Sequence, residues 1–66
     1  MLLRDPLYHG EYYSIRYSTY IRTEFFTGYW NEQEQCFCIY LDGEIKFKPD
    51  DKKHKDACVE WKKNYT

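Results

Sequence analysis

The stretch QCFCIYLDGEIKFK, residues 35–48, decides the fold. Two apolar runs flank Asp42-Gly43. An Asp-Gly pair between alternating runs is the strongest short-range hairpin signal, because both central positions of a type I′ turn need positive φ. A two-residue turn pairs Leu41 with Glu44, Tyr40 with Ile45 and Cys38 with Phe47. One face then carries Cys36, Cys38, Tyr40, Ile45 and Phe47, the other Phe37, Ile39, Leu41, Glu44, Lys46 and Lys48. The first set is the more uniformly apolar and is expected to face the core. Phe37, Ile39 and Leu41 are then left on the far face. There they either meet aromatic residues of earlier strands as the sheet curls or form a surface for a partner.

Toward the N-terminus, residues 11–26 are rich in Tyr, Ile, Thr and Phe, the strand formers. Tyr13, Ile15, Tyr17, Thr19, Ile21, Thr23 and Phe25 form a mostly apolar alternate set. The intervening positions, including Ser14, Arg16, Ser18, Arg22 and Glu24, are mostly polar. That is the two-residue period of a half-buried antiparallel strand. Sixteen residues is long for one strand in a small domain. A bend or turn near Ser18-Thr19 is expected, and the alternation running past Ser18 favours one bent strand over two. Residues 1–10 read as an arm in which Leu2, Leu3 and Leu7 pack while Pro6 and Gly10 break regular structure. Asn31 and its polar neighbours suit the connection into the hairpin.

Beyond the hairpin, Pro49 ends the strand, and Asp50 or Asp51 is placed to cap a helix. Residues 51–63 are expected to be helical, with a low-charge stripe of His54, Ala57, Cys58, Trp61 and Tyr65. The expected fold class is α+β. It consists of a small curled antiparallel sheet of three to four strands over 11–48, a partial barrel of the SH3-like or OB-like kind, with one C-terminal helix on one face. The whole chain reads as a single domain without repeats or linkers.

At 66 residues, a chain buries only about 60% of its unfolded-state surface, so its core has little to spare. Aromatic residues nonetheless make up 21% of it, against the depletion typical of disordered segments. The net charge of −1 argues against a strongly basic nucleic-acid module. No stretch approaches the roughly 18 apolar residues of a membrane span, and the early charges at Arg4 and Asp5 do not suit a signal peptide. No membrane partner is expected. The three cysteines, an odd number, argue against a fully paired disulfide scaffold and for a cytoplasmic protein with free thiols.

Cys36-x-Cys38 on a strand face and His54-x3-Cys58 on a helix face make a candidate set of four zinc ligands. The competing reading makes the cysteines small core residues, with no cofactor. No phosphate loop, His-Glu-x-x-His or Gly-x-Ser-x-Gly occurs. His54 and Cys58 make a geometrically allowed nucleophile pair but lack an orienting group, so a catalytic role is not expected.

Two functions compete. The first is a small protein-binding module, an inhibitor or accessory factor that occupies a partner's surface or pairs with a second copy of itself. Its candidate surface is Phe37, Ile39, Leu41, Tyr20, Arg16 and Arg22, rich in types enriched at interface hot spots. The second is a nucleic-acid-binding module using Arg16, Tyr20, Arg22, Lys46 and Lys48, with tyrosine stacking on bases and cations on phosphates. The Lys-rich segment 52–63 would add to it, although such a run also reads as a solvated helix face.

Overall fold

A computed structural model describes residues 3–64. It contains five strands, β1 (Tyr12–Ser18), β2 (Thr23–Asn31), β3 (Cys36–Tyr40), β4 (Glu44–Phe47) and β5 (Cys58–Lys63). They form one antiparallel sheet in the spatial order β4-β3-β2-β1-β5. The expected helix over 51–63 is absent: a 3-10 turn, Lys52–His54, is the only helical element among the described residues. Asp51 does act as a cap, but only for this turn, its Oδ1 accepting a hydrogen bond from the Lys53 N–H at 3.1 Å.

The reason for that correction lies in Val59. On a helix with the stripe His54, Ala57, Cys58 and Trp61, the valine falls outside the apolar face. On a strand, Val59 and Trp61 share one face, and both are buried. The strand also covers the second edge of β1, from Tyr13 opposite Lys63 to Ser18 opposite Cys58. Pairing and burial together outweigh the weak helical preference of a short charged segment. Tyr65 of the expected stripe and Leu2 of the expected arm lie outside the described residues.

Residues 11–26 form two strands rather than one bent strand. Thr19 builds the turn between them. Its N–H donates to the Arg22 carbonyl at 2.8 Å, and its hydroxyl accepts from the Ile21 and Arg22 N–H groups at 3.3 Å. Such local side-chain bonds favour turns over a continued ladder. Because Ser18 pairs with Thr23, the inward parity changes across the turn. Tyr13, Ile15 and Tyr17 face inward on β1, as expected, whereas Phe26 rather than Phe25 faces inward on β2.

The β3–β4 hairpin differs from expectation by one residue. Asp42 and Gly43 both have positive φ, 49° and 119°, but the loop includes Leu41, so Tyr40 pairs with Glu44 and Ile39 with Ile45. A shift of one residue exchanges faces. Phe37 and Ile39 therefore join Ile45 and Phe47 on the inner face, while Cys36 and Cys38 lie on the opposite face of β3, where they too are buried. This register unites the larger apolar side chains of both strands, and that decides it.

The sheet is strongly curled. Tyr17 of β1 and Phe47 of β4 have two strands between them in the ladder, yet their ring centroids are 5.9 Å apart. Phe37 of β3 sits at the centre, within 5.8 Å of Tyr13, 5.0 Å of Trp30 and 5.4 Å of Trp61. Gly28 lets β3 approach β2, since a Cβ there would lie 2.9 Å from both the Cys38 carbonyl oxygen and Ile39 Cγ1.

One end of this half-barrel is closed by the N-terminal arm. The Tyr13 hydroxyl donates to the Pro6 carbonyl at 2.9 Å and accepts from the Tyr8 N–H at 2.8 Å, and Leu7 packs against the core. Leu3, by contrast, is exposed. The arm also seals the outer edge of β5. Trp61 N–H donates to the Leu3 carbonyl at 3.1 Å, Asp5 N–H to the Trp61 carbonyl at 3.2 Å, and Lys63 N–H to Asp5 Oδ2 at 2.7 Å. The Arg4 guanidinium lies 4.7 Å from the centre of the Trp61 ring and pairs with Asp50 at 3.1 Å. No helix among the described residues is long and apolar enough to cross a membrane.

Candidate functional site

The opposite end, where the β1–β2 and β3–β4 turns lie, is open. Side chains that alternate inward on four strands reach this end without a cap. Tyr17, Phe26, Ile39, Ile45 and Phe47, with Leu41 from the hairpin loop, line an apolar groove of about 170 Å³. Glu24 and His54 complete its wall. His54 arrives from the 3-10 turn and packs on the rings of Tyr17 and Phe47, with centroids 5.2 and 4.8 Å away. Its Nδ1 shares a hydrogen bond of 3.0 Å with the Tyr17 hydroxyl, while Nε2 is buried without a partner.

Several large apolar side chains are exposed at this end. At the tip of the β1–β2 turn, Tyr20 is 94% exposed and Ile21 75%. Across the groove, Leu41 is 52% exposed and Ile45 46%. Leu41 and Ile45 line the groove itself, whereas Tyr20 and Ile21 stand on the neighbouring turn beside the Arg22–Glu24 ion pair.

The residues expected to bind a protein separate into three groups. Phe37 and Ile39 are 0% and 3% exposed and belong to the core, because the hairpin register turns them inward. Tyr20 and Leu41 reach the open end. Arg16 and Arg22 are at the surface but are held in ion pairs, Arg16 to Glu60 at 3.2 Å and Arg22 to Glu24 at 2.9 Å. Ile21 and Ile45, also exposed at this end, were not among the expected residues. The signal for Ile21 is its place in a tight turn, where an aliphatic side chain has no inward face to occupy.

Of the residues expected to contact nucleic acid, Lys46 is also paired, with Glu34 at 2.7 Å, which holds its ammonium pKa above the ordinary lysine value. Lys48 lies at the closed end beside Pro49, Asp50 and Asp51. The cations thus form no continuous track. The outer face does carry a row of tyrosines. The rings of Tyr12 and Tyr29 are 6.0 Å apart and those of Tyr29 and Tyr40 are 6.1 Å apart. This row ends on an acid, the Tyr40 hydroxyl donating to Glu44 at 2.8 Å. Hydrogen bonds with Tyr29 and Glu44 push the Tyr40 hydroxyl well above the ordinary phenol range.

The expected zinc ligands do not converge. Cys36 and Cys38 lie on the outer face of β3, and Cys58 lies on β5, with two strands between them, about 14 Å away at ordinary strand spacing. His54 lies inside, against Tyr17 and Phe47. Among the described residues no group of three or more His, Cys, Asp or Glu is placed to hold a metal ion. The cysteines are free thiols, and burial, with a smaller contribution from Cys38, pushes the Cys36 thiol up. Comparison with models of protein families, with curated proteins and with solved structures finds no match to this chain.

Proposed function

We propose that the chain is a small, non-catalytic protein-binding module that acts by occupying a partner's surface, as an inhibitor or accessory factor does. The observation that carries this reading is the open end of the half-barrel, an apolar groove lined by exposed Leu41 and Ile45, with exposed Tyr20 and Ile21 on the β1–β2 turn at the same end. Large aromatic and aliphatic side chains around a concavity supply the desolvated centre that dominates binding energy in protein interfaces. A nucleic-acid ligand is disfavoured because the charges of Arg16, Arg22 and Lys46 are offset by adjacent carboxylates, which repel phosphate. Three free thiols suit a reducing, cytoplasmic setting.

The test is affinity capture from an extract of the source cell with immobilised wild-type chain and with the variants Ile21→Asp and Leu41→Asp. Both positions are exposed, so the variants should keep the wild-type circular dichroism and denaturation midpoint while losing the captured protein. Equal capture by both variants would overturn the proposal. Retention of nucleic acid that falls steeply with salt would replace it with the nucleic-acid reading.

A further inference from the structure

The two edges of the sheet are treated differently. The outer edge of β5 is covered by the arm, whose residues 3–5 take up the Trp61 N–H and carbonyl and the Lys63 N–H. The outer edge of β4 has no strand, arm or loop bonded to it among the described residues. Which of its main-chain groups face outward follows from the hairpin. The Leu41 N–H donates to the Gly43 carbonyl at 3.0 Å, which brackets Tyr40 and Glu44 as a non-hydrogen-bonded pair. Alternation then makes Ile39 and Ile45 a hydrogen-bonded pair. The N–H and C=O of Ile45 and Phe47 therefore point to β3, and those of Glu44 and Lys46 point away from the sheet.

We infer that this edge pairs with β4 of a second copy of the chain, antiparallel, about a two-fold axis at Ile45. The inference rests on reading the open end as a protein-binding surface and names its partner. The sequence Glu44-Ile45-Lys46 is self-complementary under that symmetry. Glu44 of one copy stands opposite Lys46 of the other, and the reciprocal pair repeats it. Glu44 and Lys46 then exchange about four main-chain hydrogen bonds, so every outward-facing group on the edge finds a partner. On the inner face the two Ile45 side chains meet as a non-hydrogen-bonded pair, the closer of the two pair types. They meet beside the grooves that Leu41, Ile39 and Phe47 line, so apolar surface is covered on both copies. A protein sheet with an exposed edge ordinarily blocks it by charge, proline or a covering segment. Here the opposite charges on β4 reject most strands but admit its own inverted copy.

The existing contacts of these side chains are compatible with the pairing. Lys46 uses one of its donors on Glu34 and retains others, and Glu44 accepts from Tyr40 with one carboxylate oxygen.

The experiment is sedimentation equilibrium and native mass spectrometry of the full chain with a charge swap. Wild type should dimerise. Glu44→Lys alone and Lys46→Glu alone should each place like charges opposite each other twice and weaken the dimer about tenfold. Mixing the two variants should restore a heterodimer, and the double variant should restore the homodimer. Circular dichroism of each variant alone shows that it folds. Wild type that stays monomeric up to about 1 mM chain overturns the inference. So do single variants that dimerise as wild type does, and single variants whose mixture fails to recover. The capture assay with Ile21→Asp reads the broader proposal separately, because Ile21 lies in the β1–β2 turn and not on β4.

Discussion

Replacing Phe37 by alanine removes the ring that Tyr13, Trp30 and Trp61 approach edge-on and against which Phe47 stacks at 6.5 Å. Phe37 is fully buried, so the loss combines the transfer free energy of the ring with the cavity it leaves, about 3–5 kcal/mol. A chain of this length has a total stability of about 3–10 kcal/mol at the usual per-residue value. The variant should therefore be largely unfolded, or should melt at a much lower urea concentration. With a slope of about 1 kcal/mol per molar urea, the midpoint should fall by about 3 M or more. Leu41 is the informative control. It lies two positions beyond Ile39 in the same alternate set but sits in the loop, half exposed. Leu41→Ala should cost no more than about 0.5 kcal/mol. Phe37→Leu should fall between the two. Urea denaturation followed by tryptophan fluorescence reads all three, since Trp30 and Trp61 both flank Phe37. A wild-type midpoint for Phe37→Ala, or equal losses for Phe37→Ala and Leu41→Ala, would refute the hairpin register on which the core assignment depends.

Gly28→Ala adds a methyl group 2.9 Å from main-chain and side-chain atoms of β3 and should destabilise by about 1–3 kcal/mol in the same assay. A neutral result would mean that β2 and β3 lie further apart than described. Glu32 accepts hydrogen bonds from the Trp30 indole N–H at 3.0 Å and from Gln35 Nε2 at 2.6 Å, and these hold its carboxyl below the ordinary glutamate value. A depressed folded-state pKa stabilises fully above the ordinary value, and the contribution is lost as pH falls through the folded one. The stability gap between wild type and Glu32→Gln should therefore close on acidification. The Trp30 indole N–H resonance should titrate below pH 4.5, and a midpoint at or above that value would contradict the hydrogen-bonded arrangement.

What could be read from the chain depended on how each signal is tied to geometry. Alternation in Tyr13, Ile15 and Tyr17 fixes an inward face because a strand has only two faces, and the structure keeps it. Asp42-Gly43 fixes where the chain reverses because positive φ is rare elsewhere. Neither fixes register. Whether Leu41 belongs to the strand or to the loop changes which of Phe37 and Cys38 faces the aromatic cluster, and that choice depends on packing across the whole sheet. The same limit applies at Ser18-Thr19, where a four-residue turn reverses parity without disturbing the apparent period. In residues 51–63 a helical stripe and a strand alternation both fit, and the unexplained Val59 is the local evidence for the strand. Of the open end, Tyr20 and Leu41 were legible as exposed apolar residues. The groove itself was not, because it arises where Tyr17, Phe26, Ile39, Ile45 and Phe47 converge from four strands.

The arm that covers β5 has a consequence for the order of assembly. Residues 58–63 lie between β1 and residues 3–5, so the last strand is clasped by two segments from the beginning of the chain. During synthesis, β1 through β4 can pair as they emerge, but β1 keeps an uncovered edge and the core lacks Val59 and Trp61. Non-local closure of this kind slows folding and leaves an incomplete sheet open to strands of other molecules. Completion of the fold thus waits for residues 58–63, and a nascent chain stalled before them would be a substrate for chaperones rather than a smaller version of the protein.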